Sequence, residues 1–292
     1  QFEYTISQRS KMTNNRIITL ENKDISVLID TFFGGKVIEL TNKKTNYNWV
    51  WFLKNKYQDF NPSQFSDYDS QWIGGYEELF PNDKIESVNG ELAPDHGELW
   101  SSKWNLLDVG DDFLELSCKG YFSKSVINKK FVLQENSIKV FYEIENLKLD
   151  KFLFKLHLAM PINKTSIDFK FSSFKKVDKE FGNIISHNDL SSFLNDVNEN
   201  ESKNDFAYFY GNDGLVNITN RDNKVRIKYD QKSLPYLWIF QTRGGWNNLN
   251  VNVIEPCTAG LKDIEEAYDN NLLYIPENKI FRTWYEIEVY EN

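Results

Sequence analysis

Apolar and polar residues alternate along most of the chain, and this period of two leaves little room for a helical fold. The clearest instance is a pair of runs, Ser125 to Gln134 and Ile138 to Ile144, separated by Glu135-Asn136-Ser137. Val140, Tyr142 and Ile144 then share one face, a hairpin signature. The same alternation appears at Ile18-Thr19-Leu20 and, after a turn at Asn22-Lys23-Asp24, at Ile25, Val27 and Ile29. It resumes at Val37 to Leu40, Asp112 to Cys118, Phe152 to Met160 (ended by Pro161) and Ile167 to Phe174. Further strands are expected at Phe206–Tyr210, Leu215–Asn220, Val225–Tyr229, Tyr236–Gln241, Val251–Ile254 and Ile280–Val289. Gly34-Gly35 reads as a bulge or tight turn, because glycine tolerates positive φ.

Only Gly260 to Asn270 reads as a helix, with Leu261, Ile264 and Ala267 suitably spaced. Residues 1–15 form an irregular lead-in, and residues 175–204 a polar surface excursion with a short helix near Leu190–Leu194. No boundary and no repeat of 20–50 residues divides the chain. The expectation is all-β: one large antiparallel β-sandwich over residues 1–292 with very little helix, which excludes a nucleotide-binding βαβ fold.

The formal charge is -9, so a nucleic-acid backbone is repelled overall, and no basic run offsets this. No apolar run approaches the length of a membrane span, and no apolar signal core opens the chain, although a start at Gln1 leaves a removed leader open. Two cysteines, Cys118 and Cys257, cannot build a disulfide framework or a multi-cysteine metal site, and no compact set of His, Cys and carboxylates suggests a metal. A reducing, cytoplasmic setting is expected from that cysteine usage, and a homodimer is left open. Aromatic residues make up 15% of the chain, a composition that suits strands and surfaces for carbohydrate.

These aromatics concentrate between Trp72 and Trp104, where Trp72, Tyr76, Phe80, Trp100 and Trp104 accompany Glu77, Glu78, Asp95, His96 and Glu98. Aromatic faces stack on sugar C–H surfaces, and carboxylates with an imidazole bind hydroxyls. A buried aromatic cluster with solvated charges accounts for the same residues. His157 lies in an apolar strand, which suits a core histidine hydrogen-bonded to a carbonyl as well as one projecting into a cleft. His187, in the polar excursion, reads as a surface residue. Glu255 ends Val251-Asn252-Val253-Ile254 and precedes Pro256, so it either caps a strand at the surface or stands in a cleft. Trp238, Gln241 and Trp246-Asn247-Asn248 again set aromatics beside amides. No Gly-x-Ser-x-Gly elbow or Cys–His nucleophile motif occurs.

Four segments occur in a telling order: Gly-Gly-Tyr-Glu-Glu-Leu-Phe-Pro, Pro-Asp-His-Gly-Glu-Leu-Trp, the strand with His157, and Val-Ile-Glu-Pro-Cys-Thr before a short helix. Together they resemble the aldose 1-epimerase (galactose mutarotase-like) superfamily, over about Ile17 to Val289. The resemblance implies a β-supersandwich and cofactor-free interconversion of α and β anomers. It implies Glu255 as general base at the anomeric hydroxyl, His157 as general acid at the ring oxygen, and His96 as a substrate-binding group that helps polarise the ring-oxygen side. Glu78, Trp100, Trp238 and Trp246 are the further expected sugar contacts. The usual Asn-His pair leading into Tyr-Phe-Asn is absent; this strand reads Lys-Leu-His-Leu-Ala-Met. Where the branch acting on hexose 6-phosphates has arginines, this chain has Ile73 and Trp100, so a free or short neutral sugar is expected. Two other readings stay open: a non-catalytic sugar-binding or sensing protein, and a glycoside hydrolase or lyase. The latter would need a second carboxylate opposite Glu255, for which Glu77, Glu78 and Glu98 are available.

Overall fold

Adjacent strands exchange backbone hydrogen bonds while their side chains alternate between two faces, and the chain resolves this alternation into two large sheets. The computed structural model describes residues 16–145, 147–177, 184–185 and 203–291. One sheet has 11 strands and the other eight, with a separate two-stranded ribbon at Ser87–Val88 and Glu91–Leu92. In the larger sheet, Lys155–Pro161 and Asn250–Cys257 lie side by side. Tyr76–Leu79 flanks them on one side, and Tyr236–Arg243 then Lys203–Tyr210 on the other. In the smaller sheet Ser137–Glu145 runs between Val126–Leu133 and Phe281–Glu291. The expected hairpin is present, with Phe131 opposite Val140 and Leu133 opposite Ile138.

The main core fills the space between the sheets: Leu156, Leu158 and Met160 of the large sheet share it with Val140, Ile144 and Ile287 of the small one. A second apolar cluster lies on the outer face of the large sheet. There Ala159, Val251 and Val253 are covered by Phe60, Tyr68, Trp72, Ile73 and Trp100. One face of the large sheet is thus sealed by the small sheet, and the other carries a roof of irregular chain.

Helix is confined to Lys54–Tyr57, Tyr68–Gln71 and Ile264–Asp269 among the described residues. The last falls within the expected 260–270, shortened because Asp263 supplies the N-cap, accepting from Glu266 N at 2.9 Å. No helix is long and apolar enough to cross a membrane among these residues. The expected strand Ile167–Phe174 is two strands, Thr165–Phe169 in the small sheet and Ser173–Val177 in the large one, so the chain changes sheet between them. The expected polar excursion accordingly begins later than residue 175: Lys175–Val177 pair with Phe206–Tyr208, and Lys203 already lies in a strand. The lead-in 1–15 and the short helix near Leu190–Leu194 lie outside the described residues.

Glu255 does not end its strand. The strand continues through Pro256 to Cys257, which places Glu255 inside the sheet. The ladder with Lys155–Pro161 tolerates the proline by lapsing there: Lys155 pairs with Cys257 and Leu158 with Ile254, with no pair between, where Pro256 has no N–H to donate.

Glu78 faces the inter-sheet core. Its Oε1 lies 2.5 Å from Lys129 Nζ, and its Oε2 accepts from Tyr142 Oη at 3.0 Å. Lys129 also donates to the carbonyls of Gly34 and Gly35 at 3.1 and 2.8 Å. Both partners are fully buried, so removing one leaves an uncompensated charge in the core. Lys129→Met should lower the unfolding free energy by about 3–5 kcal/mol, measured by urea denaturation, and Lys129→Met combined with Glu78→Gln should recover part of the loss. Equal stability of Lys129→Met and the parent would refute this account of the core.

Candidate functional site

Residues paired across neighbouring strands present their side chains on the same face. Glu77 pairs with His157, Glu255 with Trp238, and Trp238 with Tyr208. The flanking pairs Lys155↔Cys257 and Leu158↔Ile254 set His157 opposite Glu255. Five strands therefore carry one row across the roofed face: Glu77, His157, Glu255, Trp238 and Tyr208. Lys155, two residues before His157, lies on the same face.

Above this row is a cavity of about 220 Å³. Its floor includes Lys155, His157, Val253 and Glu255; its walls include Tyr68, Trp72, Asp83, His96, Phe240 and Trp246. Tyr68 enters from the four-residue helix Tyr68–Gln71, N-capped by Asp67, whose side chain accepts from Ser70 N at 2.8 Å. The carboxylate of Asp95 ties roof to wall: Oδ2 accepts from Tyr68 N at 2.8 Å, and Oδ1 lies 2.8 Å from His96 Nδ1. The Tyr68 and His96 rings stack at 4.1 Å. His96 has φ +54 and is followed by Gly97 at φ +73, where a Cβ would fall 2.2 Å from the Phe80 carbonyl oxygen. Glycine is required there for the His96 loop to pass close to Phe80.

Two buried ionic clusters underlie the cavity. In the first, Lys155 lies between Asp83 and Glu255. Its Nζ is 2.6 Å from Glu255 Oε2, an ion pair outside hydrogen-bonding angles, and it sits 4.5 Å from the Trp238 ring centroid. In the second, Glu77 takes Lys36 Nζ at 2.5 Å, Tyr68 Oη at 2.6 Å and Trp72 Nε1 at 3.1 Å. His157 Nδ1 stands 3.3 Å from Tyr68 Oη and 3.8 Å from Glu77 Oε1.

These environments push the groups apart. Burial, then the positive charges of Lys155, His96 and Lys36, hold the His157 pKa well below its ordinary value. Burial opposes charge on His96 too, but the Asp95 hydrogen bond and the charges of Asp83 and Asp95 outweigh it and raise its pKa. Burial raises the Glu255 pKa against the pull of Lys155, whereas Lys155 and His96 hold Asp83 below the usual carboxylate range despite burial.

His157, Glu255, His96 and Trp246, expected as site residues from the sequence, all line this one cavity. Three others do not. Glu78 points through the sheet to Lys129, because the strand's alternation sends Glu77 to the roofed face and its neighbour to the core. Trp100 is buried beneath Tyr68, ring centroids 5.1 Å apart, with Nε1 donating to the Asp95 carbonyl at 3.0 Å. Trp238 has no exposed surface: its Nε1 donates to the Ala259 carbonyl at 2.8 Å, and Lys155 covers its ring. Neither indole borders the cavity.

Sequence reasoning missed Lys155, Asp83 and Tyr68. A signal existed for Lys155, since Lys and His two apart in an otherwise apolar strand must share a face. No local pattern marks Asp83 or Tyr68, which reach the cavity from loop and roof. Among the described residues, no three His, Cys, Asp or Glu side chains converge as metal ligands, and both cysteines are free and buried.

The Lys155 ammonium favours the ionised form of two buried carboxylates. In Lys155→Met both carboxylates would move toward the protonated form: Asp83, held low in the parent, would rise, and Glu255, already raised by burial, would rise further. The variant should then lose stability as pH rises from 5 to 8, reaching a deficit of about 3–5 kcal/mol. Urea titrations of parent and variant at both pH values check this, and a deficit independent of pH would contradict it.

No protein-family model and no curated protein sequence matches the chain. Solved structures do. Slr1438 protein from Synechocystis sp. PCC 6803 is similar with a TM-score of 0.73 at 16% identity, covering 96% of this chain and 98% of that one. A galactose mutarotase-like protein from Clostridium acetobutylicum gives 0.70 at 13% identity, covering 94% and 95%. The GalM/aldose epimerase homologue from C. elegans gives 0.69 at 12% identity, covering 94% and 98%. The likeness extends over nearly all of each chain, and the fold is the galactose mutarotase-like β-sandwich.

Proposed function

We propose that this galactose mutarotase-like fold serves an aldose 1-epimerase-type isomerase, which interconverts the α and β anomers of a neutral sugar. The observation that carries the reading is the placement of Glu255 and His157, opposed on adjacent central strands in the floor of one cavity. Anomerisation needs a base at the anomeric hydroxyl and a proton source at the ring oxygen. Glu255 takes the proton of the anomeric hydroxyl. The imidazoles of His157 and His96 serve the ring-oxygen side, the C1–O5 bond breaks, and the open-chain aldehyde forms. Rotation about C1–C2 and closure on the opposite face return both protons. Trp72, Phe240 and Trp246 offer apolar faces for the C–H side of the ring.

The glycoside hydrolase alternative needs a second free carboxylate opposite Glu255. Of the candidates, Glu77 is engaged by Lys36, Tyr68 and Trp72, Glu78 faces the other sheet, and Glu98 is held by the backbone N–H groups of Phe122 and Ser123. Asp83, also in the cavity, is held by Lys155.

Polarimetry or saturation-transfer NMR on freshly dissolved α-glucose and α-galactose provides the test. The protein should accelerate equilibration, and Glu255→Gln should slow turnover by about 10²–10⁴-fold while remaining folded. Binding of sugars without any acceleration would favour a sensing role instead, and full activity in Glu255→Gln would remove Glu255 from the mechanism.

A further inference from the structure

The hydrogen-bond network around the two cavity histidines distributes their protons unequally. Tyr68 has one hydroxyl proton, donated to Glu77 Oε1 at 2.6 Å. Its oxygen can therefore only accept at its second contact, 3.3 Å from His157 Nδ1. The other group near that nitrogen is Glu77 Oε1 itself, at 3.8 Å, a carboxylate whose second oxygen is paired with Lys36. Both neighbours of His157 Nδ1 are acceptors, so Nδ1 carries the hydrogen, and in the neutral ring Nε2 is left with a lone pair.

A second proton on His157 would add a cation beside Lys155, Lys36 and a charged His96, in a buried position. Glu77, already occupied by three donors, is the counter-charge on its own side. His96 is placed differently. Its Nδ1 meets Asp95 Oδ1 at 2.8 Å, and that carboxylate is pinned by Tyr68 N at 2.8 Å. Asp83, Asp69 and Glu255 also face His96 and favour its cation, against Lys155 and the buried setting. With Nδ1 given to Asp95, Nε2 is the ring nitrogen left to carry the second proton when His96 is charged.

We propose that His96 Nε2, and not His157, donates the proton to the sugar ring oxygen, while His157 Nε2 accepts a hydrogen bond from a sugar hydroxyl. This rests on the isomerase reading and reassigns the step that the family resemblance gives to His157. The proton count closes. The His96 imidazolium gives its Nε2 proton to O5 as C1–O5 breaks and Glu255 takes the O1 proton. On closure O5 returns its proton to His96 and Glu255 returns the other to O1. His157 keeps its Nδ1 hydrogen throughout and holds the substrate in register.

The chain has three histidines, His96, His157 and His187, so ¹⁵N-histidine NMR resolves them, with single His→Gln variants for assignment. His157 should stay a neutral Nδ1–H tautomer from about pH 5.5 to 8, and His96 should titrate with a midpoint above that of a free imidazole, about 6.5. An Nε2–H tautomer of His157, or a His157 that titrates near neutrality beside an uncharged His96, overturns the proposal whether or not any sugar turns over.

In kinetics the acid must be protonated, so kcat/KM of the parent protein should fall as pH rises through the His96 midpoint. His96→Asn should abolish that limb and lower kcat by about 10²–10⁴-fold. His157→Gln should keep the limb and raise KM by about ten-fold, the worth of a lost hydrogen bond. An active parent whose alkaline limb survives in His96→Asn refutes the donor assignment alone. A parent that accelerates no aldose refutes the isomerase reading and, with it, the step assigned to His96.

Discussion

The strand Tyr76–Leu79 carries two consecutive glutamates that are both almost fully buried, and the architecture depends on how each is neutralised. A buried carboxylate survives only with a partner of opposite charge and further hydrogen bonds. Alternation sends the two to opposite faces, so two lysines must arrive from different parts of the chain. Lys36 reaches Glu77 on the roofed face, and Lys129 reaches Glu78 between the sheets. Lys129 in turn holds the Gly34 and Gly35 carbonyls, in the turn that precedes the strand bearing Lys36. One short strand is thereby clamped from both sides, and its pairing with Lys155–Pro161 sets Glu77 beside His157.

The same logic extends across the sheet. Lys155 gives Asp83 and Glu255 a shared counter-charge, and Asp95 gives His96 one while hydrogen-bonding the roof helix at Tyr68 N. Lys155, Glu255, Asp83 and His96 are thus each set by a charged neighbour. The result is a site in which carboxylates, lysines and two imidazoles share a small volume, their pKa values pushed in different directions by their neighbours.

Much of the sheet was legible because a period of two survives in a single sequence: the hairpin around residue 136, the N-terminal strands and the C-terminal strand lie where the alternation placed them. The roof helices were not, since four residues are too few to display a period of 3.6. The strand ending expected at Ile254 followed the rule that proline breaks a ladder; here the ladder gives way locally, and Glu255 moves from an edge into the sheet. His157, Glu255 and His96, found by motif, and Trp246, found as an aromatic beside amides, share a cavity. Glu78 was chosen over Glu77, and nothing in two adjacent identical residues says which faces out. Trp100 and Trp238 show a related limit: proximity to carboxylates in sequence marks an aromatic cluster but not its depth. Lys155 was hidden by the apolar residues around it, whose alternate members face the core.

The row from Glu77 to Tyr208 belongs to strands, whereas Tyr68 and Trp246 reach the cavity from the roof and from the turn after a strand. Neighbouring strands hold a separation of about 4.8 Å, and the span between His157 and Glu255 is set by the ladder pairs that flank them, Lys155↔Cys257 and Leu158↔Ile254. Shape selection and chemistry are therefore carried by separable parts of the molecule. A lineage, or a designer, can recut the rim to admit a different ring while the reacting groups keep their spacing.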